Sequence, residues 1–271
     1  MLALKILFKE FYHLLQSKNG RRFLWLAFKK GAKTRFKPQS LKFAGFKLQI
    51  VDSLSFIWQV KEIFVDEAYH FSSKSATPII YDCGANVGTS CLYFKKLYPQ
   101  AKIKAIEADE KIAHILKANL LANNLNDVEV ITKAVWKDNQ GIEIALEGAD
   151  GASIFGNANK QHIPSVRLKD LLIQEKYIDM LKMDIEGAEV EVIKDCADEL
   201  SKIQHLFIEY HSYQNHIQDL SKILEILENQ GFQYFIQNEQ SLKSPLINHF
   251  QDKNQLMTLQ LNIFAHKAKS K

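Results

Sequence analysis

Four polar residues in the second half of the chain have the types and spacing of a group that moves protons. They are Asp184, Glu186, Glu209 and His211. Carboxylates and imidazole are the side chains that most often act as general acids and bases. Each pair lies at the end of an apolar segment, 178–184 or 203–211, that has the pattern of a buried strand. Because the carboxyl ends of neighbouring parallel strands meet at one edge of a sheet, the pattern predicts a catalytic site there.

A short loop with two glycines follows the apolar segment 79–81 and precedes an amphipathic helix. Its sequence from Asp82 to Gly88 is Asp-Cys-Gly-Ala-Asn-Val-Gly. Such a loop directs backbone N–H groups at a ligand, but Asn86 stands where a dinucleotide site has its second glycine. S-adenosylmethionine has no phosphate and tolerates this side chain, and Asp82 can accept a hydrogen bond from its ammonium group. Against the alternative of an ordinary strand-to-helix turn, we predict that Asp82, Gly84, Asn86 and Gly88 bind a cofactor.

Glu107 ends the next predicted strand, residues 101–108, and extends the predicted cofactor site. It lies nineteen residues after Gly88, close to the spacing at which an acid binds ribose hydroxyls beside a glycine loop. The alternative is a solvated carboxylate at a strand end. The combination of Glu107 with the glycine loop favours the ribose role.

The segments around these residues alternate between strand and helix patterns, as in a doubly wound parallel α/β sheet. The predicted core strands are 79–81, 101–108, 128–135, 178–184 and 203–211, with shorter strands at 140–147 and 163–166 and helices at 112–121 and 167–174. The polar loop 148–157 contains three glycines, which predicts a mobile loop that either faces the substrate or is an inert surface excursion.

Residues 41–77 are a predicted lead-in to the core domain, which we assign to residues 78–271. An alternating apolar pattern over 41–51 predicts a hairpin. Asp52 and Ser53 then predict the cap of a helix that continues to Ala68.

The first 40 residues are a predicted basic helical extension. Residues 1–37 contain ten Lys or Arg and a single acid, Glu10, whereas the whole chain has a net charge of only +4, so the remainder is acidic. Apolar residues recur at helical spacing on both sides of Asn19 and Gly20, which predicts two amphipathic helices that are broken there. Three alternatives remain for them: an anionic membrane surface, a polyanion, or packing on the main domain.

Length and composition are those of a globular protein, with 271 residues of which 46% are hydrophobic and 24% charged. Cys83, Cys91 and Cys196 lack C-x-x-C spacing and lie in apolar surroundings, which argues against a disulfide framework. The sequence has no run of eighteen apolar residues and no cleavable signal pattern. We therefore expect a cytoplasmic protein, peripheral at the inner membrane face if its extension binds lipid.

Taken together, these motifs resemble the FkbM family of methyltransferases. The resemblance covers about residues 45–265 and is carried by the glycine loop, by Glu107 and by the segments 52–58, 61–64, 134–141, 168–172, 182–189 and 209–211. It implies the Rossmann-like α/β fold of class I S-adenosylmethionine-dependent methyltransferases, with a mostly parallel seven-stranded sheet. The last strands, 232–236 and 256–265, would form an antiparallel hairpin after a helix at 216–230. It also implies an O-methyl product on a sugar or glycan hydroxyl, in a surface polysaccharide or a related natural product.

By the same resemblance, the glycine loop holds the methionine part of S-adenosylmethionine and Glu107 binds its ribose. The adenine would be lined by Ala108 and Ala134.

The acceptor hydroxyl must lose a proton during transfer, and the candidate bases are His211, Asp184 and Glu209. We expect Lys182 to pair with a carboxylate rather than to act as the base. A divalent metal ion between Asp184 and Glu209 is the less favoured alternative, and we predict no metal site.

Two other functions are compatible with the motifs. One is an RNA 2′-O-methyltransferase that uses the basic extension to hold nucleic acid. The acidic core, without a basic and aromatic groove, argues against a nucleic-acid partner. The other is a non-enzymatic cofactor-binding module that recruits partners through residues 1–37.

Overall fold

A computed structural model of the protein describes residues 9–31, 35–146, 152–153, 160–214, 216–238, 244, 247 and 257–267. Seven of the strands in these residues form a central sheet. The strands are β1 (Gln39–Phe43), β2 (Phe46–Ile50), β3 (Ile79–Cys83), β4 (Lys102–Glu107), β5 (Glu129–Thr132), β6 (Ala134–Trp136), β7 (Ile142–Leu146), β8 (Ala152–Ser153), β9 (Lys160–Ile163), β10 (Ser165–Arg167), β11 (Ile178–Met183), β12 (Ile203–Tyr213), β13 (Phe232–Asn238) and β14 (Met257–Lys267). The helices are α1 (Lys9–Gln16), α2 (Lys18–Lys30), α3 (Ser53–Val60), α4 (Thr89–Leu97), α5 (Glu110–Ala122), α6 (Leu168–Leu172), α7 (Glu189–Asp195) and α8 (Leu220–Asn229).

The order of strands in the central sheet is β13-β14-β12-β11-β3-β4-β5. β14 is antiparallel to both of its neighbours, and every other adjacent pair in this sheet is parallel. This is the sheet of a class I methyltransferase, and it confirms the predicted fold. The direction of strand progression reverses between β3 and β11. In open α/β sheets, ligands bind outside the carboxyl ends of the strands at such a reversal.

The central strands are apolar on both faces because helices cover both sides of the sheet. Along β3, Ile80 packs into a core with side chains of α3, α4 and α5, whereas Tyr81 packs into a second core with side chains of α6, α7 and α8. The same alternation places Phe207 of β12 in the first core and Ile208 in the second. The continuous apolar runs that predicted buried strands are therefore explained by two separate cores.

The predicted strand 128–135 is two strands in the structure. β5 pairs with β4 in the central sheet, whereas β6 leaves it and pairs in parallel with β10. The predicted strand 163–166 is also divided, into β9 and β10, because Pro164 between them has no N–H to donate. The Pro164 carbonyl instead accepts the N–H of Ala134 at 2.9 Å.

The predicted mobile loop 148–157 lies mostly outside the described residues. Its described part, β8, pairs with β7, and β7 also pairs with β9 to form a small antiparallel sheet. The predicted helix 167–174 is confirmed in a shorter form as α6.

The predicted hairpin and helix cap before the core are confirmed. β1 and β2 pair antiparallel, and Asp52 caps α3 by accepting the N–H of Ser55 at 3.1 Å. Asp52 also accepts the N–H of Phe36 at 2.8 Å. The helix continues as one π-helical segment, Lys61–Val65, and ends before Ala68.

The N-terminal extension contains two helices, as predicted, but the break between them lies at Ser17. The Ser17 hydroxyl accepts the N–H of Gly20 at 2.8 Å and so caps α2, which places Asn19 and Gly20 inside the helix. One side of α2 packs on the first core through Phe23 and Leu26. In the described part of the chain, no helix has the length and apolar character needed to cross a membrane.

Candidate active site

The four acid and imidazole residues come together at the carboxyl edge of β11 and β12. These strands pair in parallel, with Met183 opposite Ile208, so Asp184 follows the end of β11 beside the last part of β12. Ligand atoms of Asp184, Glu186 and His211 lie within 4.8 Å of one another. Glu209 adds a fourth group, because its Oε1 lies 3.4 Å from Nε2 of His211. The predicted gathering of these residues at one edge is confirmed, and their chemical roles stay predictions.

His211 is buried and has carboxylates near both ring nitrogens. Nδ1 lies 3.0 Å from Oε1 of Glu189, and Nε2 lies 3.8 Å from Oε2 of Glu186. Burial disfavours the charged imidazolium, but the negative charge and hydrogen bond of Glu189, with help from Glu209 and Glu186, outweigh it. The pKa of His211 is therefore well above its ordinary value. The carboxylates around the ring therefore favour the positively charged form of this histidine.

Glu189 is a site residue that the sequence reasoning did not select, although it belongs to the 182–189 motif. Its side chain is fully buried, and its Oε1 accepts backbone N–H groups of Ile185 and Gly187 at 3.2 and 3.1 Å. These bonds hold the carboxylate in the turn between β11 and α7, pointing at His211. An acid in the first turn of a helix is common for electrostatic reasons, so its type and position alone did not separate it from Glu191.

The two carboxylates nearest to solvent in this cluster are Asp184 and Glu186. Their side chains are 27% and 30% exposed, whereas Glu209 and His211 are buried. Burial, opposed by the charge of His211 and reinforced by Asp184 and Glu209, raises the pKa of Glu186 to about 8. Burial and the charge of Asp184 likewise raise the pKa of Glu209. An acceptor entering from solvent meets Asp184 and Glu186 first.

β14 supplies one further contact that the sequence reasoning missed. Gln260 lies opposite His211 in the sheet, and its side-chain amide donates to Oε1 of Glu209. The side chains come from strands far apart in sequence, so no local motif connects them.

Lys182 is buried beneath this cluster and joins it to the glycine loop. Its Nζ donates to the Gly84 carbonyl at 2.7 Å and lies 3.4 Å from Asp184 and 3.5 Å from Asp82. Burial favours the neutral amine, but the charges of Asp184, Asp82 and two further acids outweigh it, so the pKa of Lys182 is raised. Lys182 is thus a cation paired with carboxylates, as expected, and a protonated amine does not act as a base.

The glycines of the loop are needed first for contacts within the protein. Gly84 and Gly88 have φ values of +79° and +90°. A Cβ on Gly84 would lie 1.8 Å from the backbone oxygen of Asp184, and one on Gly88 would lie 2.6 Å from the side chain of Leu116. The predicted contact of both glycines with a cofactor stays a prediction. Gly84 also allows the loop after β3 to pass close to the Asp184 backbone, where the strand progression reverses.

Asp82 lies at the beginning of the loop and has no exposed surface. Its Oδ2 accepts hydrogen bonds from the hydroxyl of Ser90 and the thiol of Cys91, both in α4. Its Oδ1 accepts no hydrogen bond from the described part of the chain and has Lys182 at 3.5 Å. Asp82 therefore keeps one carboxylate oxygen with capacity for another donor, and its contact with a cofactor ammonium group stays a prediction.

Glu107 bridges the glycine loop and the turn after β4. Its Oε2 accepts the N–H of Asn86 at 2.8 Å, and its Oε1 accepts the N–H of Asp109 at 2.9 Å. Asn86 adopts a left-handed conformation, with φ of +49°, and its own side chain accepts the N–H of Val87. Burial outweighs both backbone hydrogen bonds and raises the pKa of Glu107 to about 7. The acid at the end of β4 is thus fixed against the loop, as a ribose-binding acid would need to be.

A cavity of about 1090 Å³ opens next to Glu107. Its lining includes Ala108, Asp109 and Thr132, and Thr132 is the partner of Glu107 in the β4–β5 register. Ala134 is buried in a small apolar cluster against which Ala108 packs. The two predicted adenine-lining residues therefore lie together beside a cavity, and their contact with adenine stays a prediction.

The strand order, the loop after β3, the acid ending β4 and the rim of β11 and β12 together define a class I methyltransferase. The sequence profile described as "Methyltransferase FkbM domain" matches residues 82–234. The chain belongs to this family.

Several known proteins are similar to this chain. "Methyltransferase sdnD" of Sordaria araneosa is 34% identical over 179 residues, which are 51% of this chain and 68% of that protein. "Methyltransferase FkbM" from Methylobacillus flagellatus KT has a solved structure with 16% identity, covering 91% of this chain and 59% of that chain, at a TM-score of 0.45. M. jannaschii TYW2, solved with AdoMet, has 15% identity, covers 87% of this chain and 89% of that chain, and has a TM-score of 0.46. Membership of the family supports S-adenosylmethionine as the methyl donor.

Proposed function

We propose that the protein transfers a methyl group from S-adenosylmethionine to a hydroxyl oxygen of a carbohydrate or carbohydrate-containing acceptor. The observation that carries this proposal is the rim where Asp184, Glu186 and His211 have ligand atoms within 4.8 Å of one another, next to the glycine loop. This rim supplies acceptors for a hydroxyl proton at the place where open α/β sheets bind ligands.

The residues around the loop fit the cofactor. Glu107 offers two carboxylate oxygens, each with capacity beyond its one backbone hydrogen bond, to the ribose hydroxyls. The cavity beside Ala108 has room for adenine, and the backbone of the Asp82–Gly88 loop lies beside the carboxylate rim. When bound, S-adenosylmethionine supplies an electrophilic methyl carbon on a positively charged sulfur.

The carboxylates take the proton of the acceptor in this proposal. The neighbouring carboxylates raise the pKa of both His211 and Lys182, which favours their charged forms and makes both poor proton acceptors. Asp184 would take the proton of the acceptor hydroxyl during methyl transfer, with S-adenosylhomocysteine as the other product, and Glu186 would do so only where the pH is high enough to ionise it. His211, fixed by Glu189, holds these carboxylates in place and balances their charge. Positioning of this kind accounts for much of the rate of an in-line displacement.

A divalent metal ion is a variant of the same mechanism. Asp184, Glu186 and His211 each offer a ligand atom, and Glu189 orients the histidine as a carboxylate beside a metal-bound histidine does. An ion there would lower the pKa of the bound hydroxyl. Our proposal does not require it, because the carboxylates are sufficient proton acceptors.

The charge of the rim favours a neutral polyhydroxyl acceptor over nucleic acid. Carboxylates accept hydrogen bonds from sugar hydroxyls, whereas the partly exposed carboxylate of Asp184 repels the phosphates of an RNA backbone. The family resemblance supports the same class of acceptor.

An acceptor screen tests the proposal. The protein is incubated with S-adenosylmethionine labelled in its methyl group and with sugars, glycans or RNA, and products are identified by mass spectrometry. We expect label on a carbohydrate hydroxyl, and less than one hundredth of that rate for Asp184→Asn. Transfer to RNA instead identifies the RNA methyltransferase alternative. Tight cofactor binding without transfer to any acceptor class supports the non-enzymatic module.

A further inference from the structure

The first two helices expose an unusual set of side chains, which we call the basic-aromatic face. It consists of Phe11, Tyr12 and Leu15 of α1 and Lys18, Arg21, Trp25, Phe28 and Lys29 of α2. Phe28 is 92% exposed and Trp25 is 59% exposed. On α2 these residues recur every three or four positions, so they form one stripe along the helix. Large apolar side chains in such a stripe are normally covered.

The opposite side of α2 already packs on the main domain. Phe23, Leu26 and Ala27 contact the first core, and Asn19 donates to the Phe64 carbonyl at 2.8 Å. The exposed stripe therefore is not the packing surface of the helix. The alternative in which the extension only packs on the domain explains one side of α2 and leaves the other side unexplained.

The surroundings of this face are positively charged. From Glu10 to Asp52 the sequence has no other acid and contains ten Lys or Arg. Lys42 and Lys47 lie directly opposite each other in the β1–β2 pair, and both are exposed. Like charges in that position repel, and an anionic partner would relieve the repulsion.

A recess of about 510 Å³ opens at the beginning of α2. Its lining contains three cations, Lys18, Arg22 and Lys96, and one acid, Glu67. The cations are contributed by α2 and α4, so the positive surface extends from the helical extension onto the core domain. Phosphate groups near α2 would meet these side chains.

We propose that the basic-aromatic face binds peripherally to membranes containing anionic phospholipids. Tyrosine and tryptophan favour the region between head groups and acyl chains, and lysine and arginine contact the phosphates, as on other amphipathic interfacial helices. RNA would use the cations and stack bases on the aromatic rings, but it would leave the aliphatic side chain of Leu15 in water. A second copy of the chain would bring equal positive charge against this face. An anionic lipid surface covers the apolar side chains and also compensates the positive charges of this face.

Vesicle binding tests the proposal on the full chain. Protein is sedimented with vesicles of phosphatidylcholine, or of phosphatidylcholine with about one third phosphatidylglycerol, at low and high salt. We expect binding only to the anionic vesicles, weaker at high salt. Trp25→Ala with Phe28→Ala should lower the partition coefficient at least tenfold. Lys18→Ala and Lys29→Ala should each lower it about fivefold, the factor expected for one basic residue near such a surface.

Matched controls distinguish binding through the basic-aromatic face from nonspecific adsorption of the protein to vesicles. Phe235 is an exposed aromatic residue of β13, and Lys102 and Lys176 are exposed lysines of the core. Phe235→Ala and the pair Lys102→Ala, Lys176→Ala should leave vesicle binding unchanged. Addition of anionic vesicles should also shift the emission of the wild-type protein to shorter wavelength, and Trp25→Phe should remove that shift.

Three results would overturn the proposal. The first is absence of binding to anionic vesicles at low salt. The second is binding that survives Trp25→Ala with Phe28→Ala but is lost on charge removal, which indicates a surface for any polyanion, including RNA. The third is a change of oligomeric state in that double variant, measured by analytical ultracentrifugation, which identifies the face as a contact between copies. Cofactor affinity is measured in parallel, and its preservation shows that the variants are folded.

Discussion

Oε1 of Glu189 lies 3.0 Å from Nδ1 of His211, and both side chains are buried. The contact joins the turn after β11 to the end of β12 and keeps a positive charge among the carboxylates of the rim. Removing one member of a buried ion pair is costly, because the other charge is left uncompensated. The charge state of the exposed carboxylates therefore depends on an acid that does not itself reach the surface.

Glu189→Gln should lower turnover by about 10²-fold while cofactor affinity changes little. Glutamine has nearly the shape of glutamate but no negative charge. The pKa of His211 should therefore fall toward its ordinary value. The measurement is steady-state kinetics together with an NMR titration of the imidazole. Glu191→Gln is the matched control, because Glu191 lies in the same helix and pairs with Lys137 and Lys194 at the surface. Equal effects of both variants would show that Glu189 acts only through helix stability.

Asp184→Asn should lower turnover by about 10²-fold or more with nearly unchanged cofactor affinity, as expected for loss of a proton acceptor. His211→Ala should do the same, because it removes the charge that positions the rim. Affinity is measured by calorimetry with S-adenosylhomocysteine. A parallel loss of affinity would assign these residues to the cofactor site.

The rate should rise with pH as Glu186 loses its proton. Because its pKa in the ligand-free protein is about 8, Glu186 is largely protonated at pH 7 and becomes a proton acceptor only above that range. Glu186→Gln should remove this limb of the pH–rate profile. An unchanged profile in the variant would leave Asp184 as the single proton acceptor.

Cofactor affinity should weaken as the pH falls below about 7, by up to tenfold per pH unit. Ribose hydroxyls donate to an ionised carboxylate, and burial raises the pKa of Glu107 to about 7. The same pKa also affects folding, because it lies above the pKa of Glu107 in the unfolded chain. Glu107 therefore contributes to the stability of the folded state at acid pH, and this contribution to stability is lost as the pH rises through 7. Asp109 and Lys182, the charges that act on Glu107, shift the midpoint in opposite directions.

Glu107→Gln should flatten this dependence and weaken binding by roughly 1–3 kcal/mol, the cost of losing a hydrogen bond to a charged group. Calorimetry between pH 5.5 and 8.5 measures both effects, with Glu225→Gln, at an exposed position of α8, as control. Binding of NAD, or unchanged S-adenosylhomocysteine affinity in Glu107→Gln, would contradict the assignment.

Dialysis against a strong chelator should leave activity intact, because the proposed mechanism uses carboxylates alone. Added Mg²⁺ or Mn²⁺ should then have no effect on the rate. Loss of activity that is restored by one divalent ion would instead establish the metal variant at Asp184, Glu186 and His211.

The overall fold was predictable because its signals are local. Buried strands such as β3 and β11 are continuous apolar runs, and the glycine loop and Glu107 occur at fixed distances after them. The same reasoning predicted that Asp184 and His211 lie at one edge of the sheet, because the carboxyl ends of neighbouring parallel strands lie side by side.

The predictions that were wrong or incomplete have physical causes that the types of single residues do not reveal. The break between α1 and α2 is set by Ser17, whose side chain caps α2. Asn19 and Gly20 are also residue types that are common at helix ends, so the sequence pattern placed the break at them. The division of 128–135 depends on pairing between β6 and β10, which lie about thirty residues apart. Glu189 was missed because its partner is on another strand, and the packing role of Gly84 was missed because the crowding atom is the Asp184 backbone.

The insertion of β14 between β12 and β13 has a consequence for biosynthesis. Gln260, which donates to Glu209, is made 51 residues after it, and β14 is the last described strand of the chain. A ribosome synthesises this strand after the other six strands of the sheet, so one edge of β12 stays unpaired until then. The nascent chain therefore completes its sheet and its rim in one late step. A chain that stops before β14 should expose the edge of β12, which favours aggregation, and should lack methyl transfer.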